Sequence, residues 1–246
     1  MTTTIASPGT LSKLVGRQEV AERTTVFYFE KPTAWTFEPG QFLDLTLLNP
    51  SETDAEGNIR TFTIASAPHE DRLMVATRMR DTAFKRVLAT MPIGTPVKIE
   101  GPSGDLTLPA DVNRTVVFLA GGIGITPFRS MAVHAAKKKL AQKIVLFYSN
   151  RRPEDASFID ELQALEMENS NYRLVATMTK MEASDRTWSG EVGKIDAGML
   201  TRYLKDAVSP IYYIAGPPEM VKGLRQIIGE TGAKDDEIRT EEFSGY

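Results

Sequence analysis

Thr115-Val-Val-Phe-Leu-Ala-Gly-Gly-Ile-Gly-Ile-Thr-Pro127 decides the fold. Its first half, Thr115 to Ala120, is apolar without interruption after the threonine, the pattern of a strand buried on both faces. Gly121, Gly122 and Gly124 then let the backbone turn sharply and approach a ligand that side chains would block. Thr126 is expected to cap the helix that runs to about Leu140, with Pro127 in its first turn, where a missing N–H costs nothing. A helix begun this way offers free amides and its positive dipole end, which suits a pyrophosphate. The loop departs from the dinucleotide fingerprint Gly-x-Gly-x-x-Gly, because Pro127 stands where the third glycine would be. A tight β-α turn with no ligand has the same local pattern.

Downstream the period stays that of alternating strands and helices. Strands are expected at Lys143–Tyr148, Tyr172–Met178 and Ile211–Ile214, with a last one near Asp236–Thr240. Phe158, Leu162 and Leu165 recur at helical spacing, and further helices are expected at Asp196–Lys205 and Glu219–Gly229. This order means a parallel sheet with right-handed crossovers. The strand after the glycine loop's helix ends Tyr148-Ser-Asn-Arg-Arg152, where an NAD-binding fold usually carries an acid for the ribose diol. With no acid there, Ser149, Arg151 and Arg152 suit a 2′-phosphate, so NADPH is expected over NADH. Solvated loop arginines would look the same.

Upstream the pattern changes to period two. Leu43, Leu45 and Leu47 alternate with Asp44 and Thr46, and Val97 and Ile99 with Lys98 and Glu100, as in half-buried antiparallel strands. Turn signals at Glu38-Pro39-Gly40, Glu56-Gly57-Asn58 and Pro92-Ile93-Gly94 separate them. Six such strands with one helix, Thr82–Thr90, imply a small barrel in about the first 110 residues. The polar, proline-containing link Leu108–Arg114 divides the chain into expected domains 1–110 and 111–246.

Composition narrows the chemistry. The 246 residues are 41% hydrophobic and 25% charged with a net charge of −3, which offers no basic field for nucleic acid. The longest apolar run, Val116–Ala120, is a strand's length, so no membrane span is expected. The uncharged Met1–Thr10 stretch lacks the basic start of a signal peptide, so the cytoplasm is the expected location. Cysteine is absent, which excludes disulfides, thiolate-held iron–sulfur clusters and a cysteine nucleophile. Two histidines, His69 and His134, are too few for a His-rich metal site, no metal is expected, and both are read as facing solvent. Any redox cofactor must therefore be organic.

In the barrel half, Arg60-Thr-Phe-Thr-Ile-Ala-Ser-Ala-Pro68 puts Arg60 and Phe62 on one face and Thr61 and Thr63 on the other. A cation, a flat ring and a hydroxyl suit a ligand with a phosphate end and a planar end, although Phe62 as core and Thr63 as a strand former would read alike.

The ordered set of motifs resembles the ferredoxin–NADP reductase superfamily over nearly the whole chain, from Lys13 to Tyr246. Arg60, Phe62 and Thr63 match its flavin motif Arg-x-Tyr/Phe-Ser/Thr. Gly101-Pro-Ser-Gly104 is similar to its glycine-proline turn, Gly121–Pro127 to its nicotinamide-side loop, and Ala215-Gly-Pro-Pro-Glu-Met220 to its cysteine-glycine-proline motif. Glu241-Glu-Phe-Ser-Gly-Tyr246 resembles its acid-plus-aromatic terminus.

The resemblance implies a six-stranded antiparallel FAD-binding barrel followed by a Rossmann-like parallel-sheet NAD(P)-binding domain. By it, Arg60 and Thr61 serve the FAD pyrophosphate side, Phe62 stacks on the isoalloxazine and Thr63 hydrogen-bonds near flavin N5. Arg78, Thr82, Ala83, Phe84 and Lys85 take the place of the second phosphate segment, whose usual Gly-x-x-Ser is absent here. Thr126, Gly216, Pro217 and Met220 would border the nicotinamide, with Ala215 where many members carry cysteine. Glu241 or Glu242 would relay protons. Phe243 would cover the flavin face opposite Phe62, and Tyr246 would reach the adenine half.

The implied activity is FAD-dependent NAD(P)H oxidation, with single electrons passed to a separate ferredoxin- or flavodoxin-type carrier or an oxygenase component. A flavin or ferric reductase using diffusible acceptors, and a non-catalytic FAD/NAD(P)-binding regulatory subunit, are the alternatives. A monomer is expected.

Overall fold

The structure is a computed structural model that describes residues 9–243. Its first half is a six-stranded antiparallel sheet of β1 (Thr10–Ala21), β2 (Thr24–Glu30), β3 (Phe42–Leu47), β4 (Ile59–Thr63), β5 (Arg72–Arg78) and β6 (Pro96–Ser103), in the order β4-β3-β6-β1-β2-β5. The sheet curls so that the exit of β4 meets β5, where the Ala65 N–H donates to the Met74 carbonyl at 2.8 Å. Leu43, Leu45, Leu47, Val97 and Ile99 point into this partly closed barrel and are buried with Phe27 and Phe29. The helix α1 (Ala83–Thr90) adds Phe84, Val87 and Leu88 to the same core. Thr82 caps it, accepting from the Lys85 N–H at 3.4 Å.

The second half is a parallel sheet in the order β10-β9-β8-β7-β11-β12. Its strands are β7 (Val116–Gly121), β8 (Ile144–Asn150), β9 (Tyr172–Met178), β10 (Glu191–Val192), β11 (Ile211–Gly216) and β12 (Ile238–Glu242). Alternate β7 residues feed opposite layers. Val116, Phe118 and Ala120 pack under α2 (Ile125–Lys138) and α3 (Ile159–Glu168), whereas Val117 and Leu119 pack under α4 (Ala197–Tyr203) and α5 (Pro218–Glu230). Strand order reverses between β7 and β11, and ligands of open α/β sheets bind outside the carboxyl ends of such a pair.

Boundaries differ from the sequence reading in three places. A 3-10 turn, Gly122–Gly124, runs straight into α2, so Gly124 is the N-cap and Thr126 lies inside the helix, its Oγ1 donating to the Ile123 carbonyl at 3.1 Å. Phe158 does not start a helix but precedes α3 in the left-handed region, at φ +60°. The last strand starts later than expected, because a 3-10 turn takes Asp235–Glu237, and so β12 itself carries Glu241 and Glu242.

The halves meet at Arg129 on α2, only 4% exposed. Its guanidinium donates to Glu70 of the barrel at 2.9 and 3.2 Å, to Glu161 of α3 at 2.6 and 2.8 Å, and to the Ala65 carbonyl at 2.8 Å. Beside it the Ser130 hydroxyl donates to the Ser66 carbonyl at 2.7 Å. Removing one partner of a buried ionic network leaves the other charges uncompensated, at about 3–5 kcal/mol. Glu70 and Glu161 are 28% and 39% exposed, which places the expected loss at the lower end of that range, about 3 kcal/mol. Arg129→Met should lower urea-unfolding stability by this amount, and a loss below about 1 kcal/mol, the scale of an exposed pair, would contradict the assignment.

Candidate functional site

A cavity of about 300 Å³ opens beside the edge strand β4, where the barrel faces the loop after β7. Arg60, Thr61, Phe62 and Thr63 line it from β4, Thr77 and Arg78 from β5, and Arg80, Thr82 and Lys85 from the approach to α1. Ile123, Thr126 and Phe243 close the far side. Thr63 is 5% exposed and its Oγ1 has no hydrogen-bond partner. A buried unpaired hydroxyl is costly, and a polar group of a ligand would satisfy it.

One end of the cavity is cationic. Burial first, then Arg80 and Arg60, push the Lys85 ammonium down to about 8, with Glu56 opposing. Lys85 Nζ donates to the Arg78 carbonyl at 2.7 Å. The Arg60 guanidinium lies 5.1 Å from the Phe84 ring centroid, and the Phe62 ring is 6.0 Å from the same ring. The chain's own acids already touch this end. Glu56 pairs with Arg60 at 2.6 Å and Asp54 at 3.8 Å, and Asp54 Oδ2 accepts the Ala83 N–H at 2.9 Å. Ala83 and Phe84 therefore do not present side chains to the cavity, being 1% exposed in the barrel core. The exposed Thr61 also has a partner, Asp44.

Arg78 and Arg80 are shared with a second cavity of about 600 Å³ along the seam between the halves. Gly121, Gly122, Ser149, Asn150, Arg151 and Asp155 line it from the parallel-sheet half, and Arg23 from the β1–β2 turn. Ser149, Thr179, Pro217 and Met220 connect it to a third, mostly apolar cleft of about 400 Å³ closed by Ile195, Leu224 and Ile227. The three form one trough across the carboxyl ends of β7 and β11. Glycine is required in its floor. Gly122 adopts φ +52°, and a Cβ on Gly124 would lie 2.2 Å from the Ala215 carbonyl oxygen. Gly124, Pro127 and Gly216 thus shape the trough rather than line it.

Other residues singled out in the sequence lie elsewhere. Arg152 is not on the trough wall. It is held by Asp155 at 3.1 Å and by Glu22 of the barrel, a second tie between the halves. Glu241 faces a different cavity, with Phe42, Gly104 and Asp105, so it is not beside Thr63. Its Oε2 is buried without a partner, and burial together with the Asp105 carboxylate pushes its carboxyl up to about 7. Glu242 is exposed. His69 is exposed as expected, but His134 is half-buried against it, ring centroids 6.4 Å apart, and burial holds both below the ordinary histidine range. Tyr246 lies outside the described residues. Among them, no group of three or more metal-ligating side chains occurs, and no helix is long and apolar enough to cross a membrane. Sequence reading did not single out Arg23, Arg80, Asn150 or Asp155; Arg80 and Asn150 stand inside the segments Arg78–Lys85 and Tyr148–Arg152, and Arg23 and Asp155 stand in no motif.

Residues 118–226 match the family described as the oxidoreductase NAD-binding domain. The chain is 28% identical over 227 residues to the glycine betaine monooxygenase reductase subunit of Chromohalobacter salexigens, covering 90% of this chain and 60% of that protein. It is 27% identical over 186 residues to a subunit of the Na(+)-translocating NADH-quinone reductase of Idiomarina loihiensis, covering 74% and 44%. The chain thus spans about half the length of these relatives. Its fold is that of a ferredoxin NADP+ reductase from Neisseria gonorrhoeae solved with FAD and NADP, at a TM-score of 0.78, 24% identity and coverage of 96% and 99%. The antiparallel barrel with the parallel sheet is thus the fold of that reductase, and the parallel-sheet half is similar to the oxidoreductase NAD-binding domain.

Proposed function

We propose that this chain is an FAD-dependent NAD(P)H oxidoreductase, built from an FAD-binding barrel at 1–110 and a coenzyme-binding domain at 111–246. It would act as a monomer in the cytoplasm and hand single electrons to a ferredoxin- or flavodoxin-type carrier or an oxygenase component. One observation carries this reading. The buried, unpartnered Thr63 hydroxyl and the cationic cluster of Arg60, Arg78, Arg80 and Lys85 sit in one cavity, and that cavity continues into the glycine-loop trough. The character of the relatives, reductase components of larger systems, supports it.

Bound FAD supplies the conversion of a two-electron hydride into single electrons. The protein's part is positional. Arg60, Arg78, Arg80 and Lys85 hold the diphosphate, Phe62 and Phe243 bracket the ring, and Thr63 offers its proton to the ring's polar edge. Thr126 and the Gly121–Gly124 turn set the coenzyme beside it, and Met220 and Pro217 wall its path. Glu241, protonated up to about neutral pH, is a proton store on the neighbouring cavity. NADPH is favoured over NADH through Ser149 and Arg151. A flavin reductase with diffusible acceptors is the second reading. Asp54 and Glu56 favour it, because carboxylates already on Arg60 and the α1 amide would compete with the flavin diphosphate and loosen it.

Purified protein should release about one FAD per chain on heating and should reduce an artificial acceptor steadily with NADPH. Recovery of FMN alone, or flavin-loaded protein with no turnover, would contradict the proposal and the latter would leave the regulatory-subunit reading.

Lys85 gives flavin binding a pH signature. The free ammonium loses its proton as pH rises through about 8, whereas a bound diphosphate holds that proton on. FAD affinity should therefore be level below pH 8 and fall above it, by about tenfold per pH unit at most. Lys85→Met should bind more weakly and lose this dependence, and a wild-type profile flat from pH 7 to 10 would refute the role.

Arg151→Ala should raise the Michaelis constant for NADPH by about tenfold or more, the scale of a lost charge-assisted bond, and leave NADH nearly unchanged. Arg152→Ala should leave this selectivity intact. If Arg152→Ala alone shifts it, the coenzyme contact has been assigned to the wrong arginine.

A further inference from the structure

The connection between β3 and β4, residues 48–58, carries three acids within five positions, Glu52, Asp54 and Glu56. Each one is tied to α1 or to Arg60. Asp54 Oδ2 accepts the Ala83 N–H, the first amide of α1, at 2.9 Å, and its Oδ1 lies 3.8 Å from the Arg60 guanidinium. Glu56 Oε2 meets the same guanidinium at 2.6 Å. Arg60 Nη1 donates to the carbonyls of Glu56, Gly57 and Ile59 at 2.9, 3.3 and 2.7 Å, so the guanidinium is turned back onto the connection. Glu52 accepts from Arg86 of α1 at 3.0 and 2.5 Å, away from the cavity wall. The Ala83 N–H above all holds the Asp54 carboxyl below its ordinary range, which marks this helix end as favourable to negative charge.

Two carboxylates of the chain thus sit on the amide and the guanidinium that a diphosphate in this cavity would use. The ties are light. Residues 51–56 are all exposed and belong to no strand or helix, and an exposed ion pair is weak. We propose that the 48–58 connection is an autoinhibitory strap, in which Asp54 and Glu56 compete with a flavin diphosphate for the Ala83 amide and Arg60, and which swings aside as a flavin dinucleotide seats. The Glu52–Arg86 pair keeps the strap anchored while its tip moves. This deepens the flavin reading above and rests on it. A binding-competent state that is only partly populated lowers apparent affinity by its fraction, so a strap lifted in about one molecule in ten weakens FAD about tenfold. Riboflavin brings the ring without a phosphate and has no quarrel with the strap.

The test is calorimetric titration of FAD and of riboflavin into the full chain stripped of flavin, as wild type and as the double variant Asp54→Asn with Glu56→Gln. These substitutions keep shape and hydrogen bonding and remove the charges. The double variant should bind FAD about tenfold more tightly than wild type, the combined scale of two exposed ion pairs, and riboflavin within about twofold of it. In wild type, a glutamate-specific protease should cut after Glu52 and Glu56 faster once FAD is bound, and at an unchanged rate with riboflavin. If the double variant binds FAD no more tightly than wild type, the acids do not compete and the proposal is overturned. Equal strengthening of FAD and riboflavin would place the acids on the ring pocket and overturn it too. Slower cutting with FAD would show a connection that closes over the ligand, against the proposal. If neither protein binds FAD, the flavin reading itself falls. Should the double variant fail to fold, Asp54→Asn alone decides, since it retains an acceptor for the Ala83 N–H and must still bind FAD about threefold more tightly.

Discussion

A guanidinium buried to 4% exposure holds the halves of this molecule in register. Arg129 reaches carboxylates from both, and it also takes the Ala65 carbonyl, two residues beyond Thr63. Ser130 takes the next carbonyl, that of Ser66. Just upstream of these anchors in the same helix come Thr126 and Ile125, with Gly124 at the mouth of the glycine turn. The spacing between the barrel strand bearing Thr63 and the helix bearing Thr126 is thus set by hydrogen bonds, not by a flexible linker. Everything proposed for hydride transfer depends on that spacing, since reactive geometry tolerates only small displacements.

The ions at the seam are divided between those paired within the chain and those that line the cavities. Arg129, Arg152 and Asp155 have their partners within the chain. The Lys85 ammonium differs: burial and then Arg80 and Arg60 drive it down, and it donates to a backbone carbonyl, that of Arg78. Asp54 and Glu56 supply carboxylates on the Arg60 side. The distinction is physical. Arg129 and Arg152 make short bonds to the chain's own carboxylates, whereas Lys85 bonds a backbone carbonyl.

Much of this is legible in the sequence, for local reasons. The alternation of Leu43, Leu45 and Leu47 announces a half-buried strand, and the unbroken Val116–Ala120 run announces one buried on both faces; each follows from period alone. The cavity-lining strand at Arg60–Thr63 and the turn at Gly121–Gly124 are likewise visible in short segments. What stays hidden depends on which distant segments meet. Arg151 and Arg152 are equivalent on paper, but Glu22, some 130 positions away, captures one of them. Glu241 in β12 and Phe243 just beyond it stand two positions apart, yet they open on different cavities.

Arg78 belongs to two cavities at once and leans on Asp155 at 3.7 Å between them. A single guanidinium cannot face two anions with its full strength, so the ligands on either side draw on a common field. Thermodynamic linkage makes that relation reciprocal: whatever factor the flavin exerts on coenzyme affinity, the coenzyme exerts on flavin affinity. The two dinucleotides would then be negatively coupled through Arg78, and product coenzyme would be held least firmly when the flavin is most firmly seated.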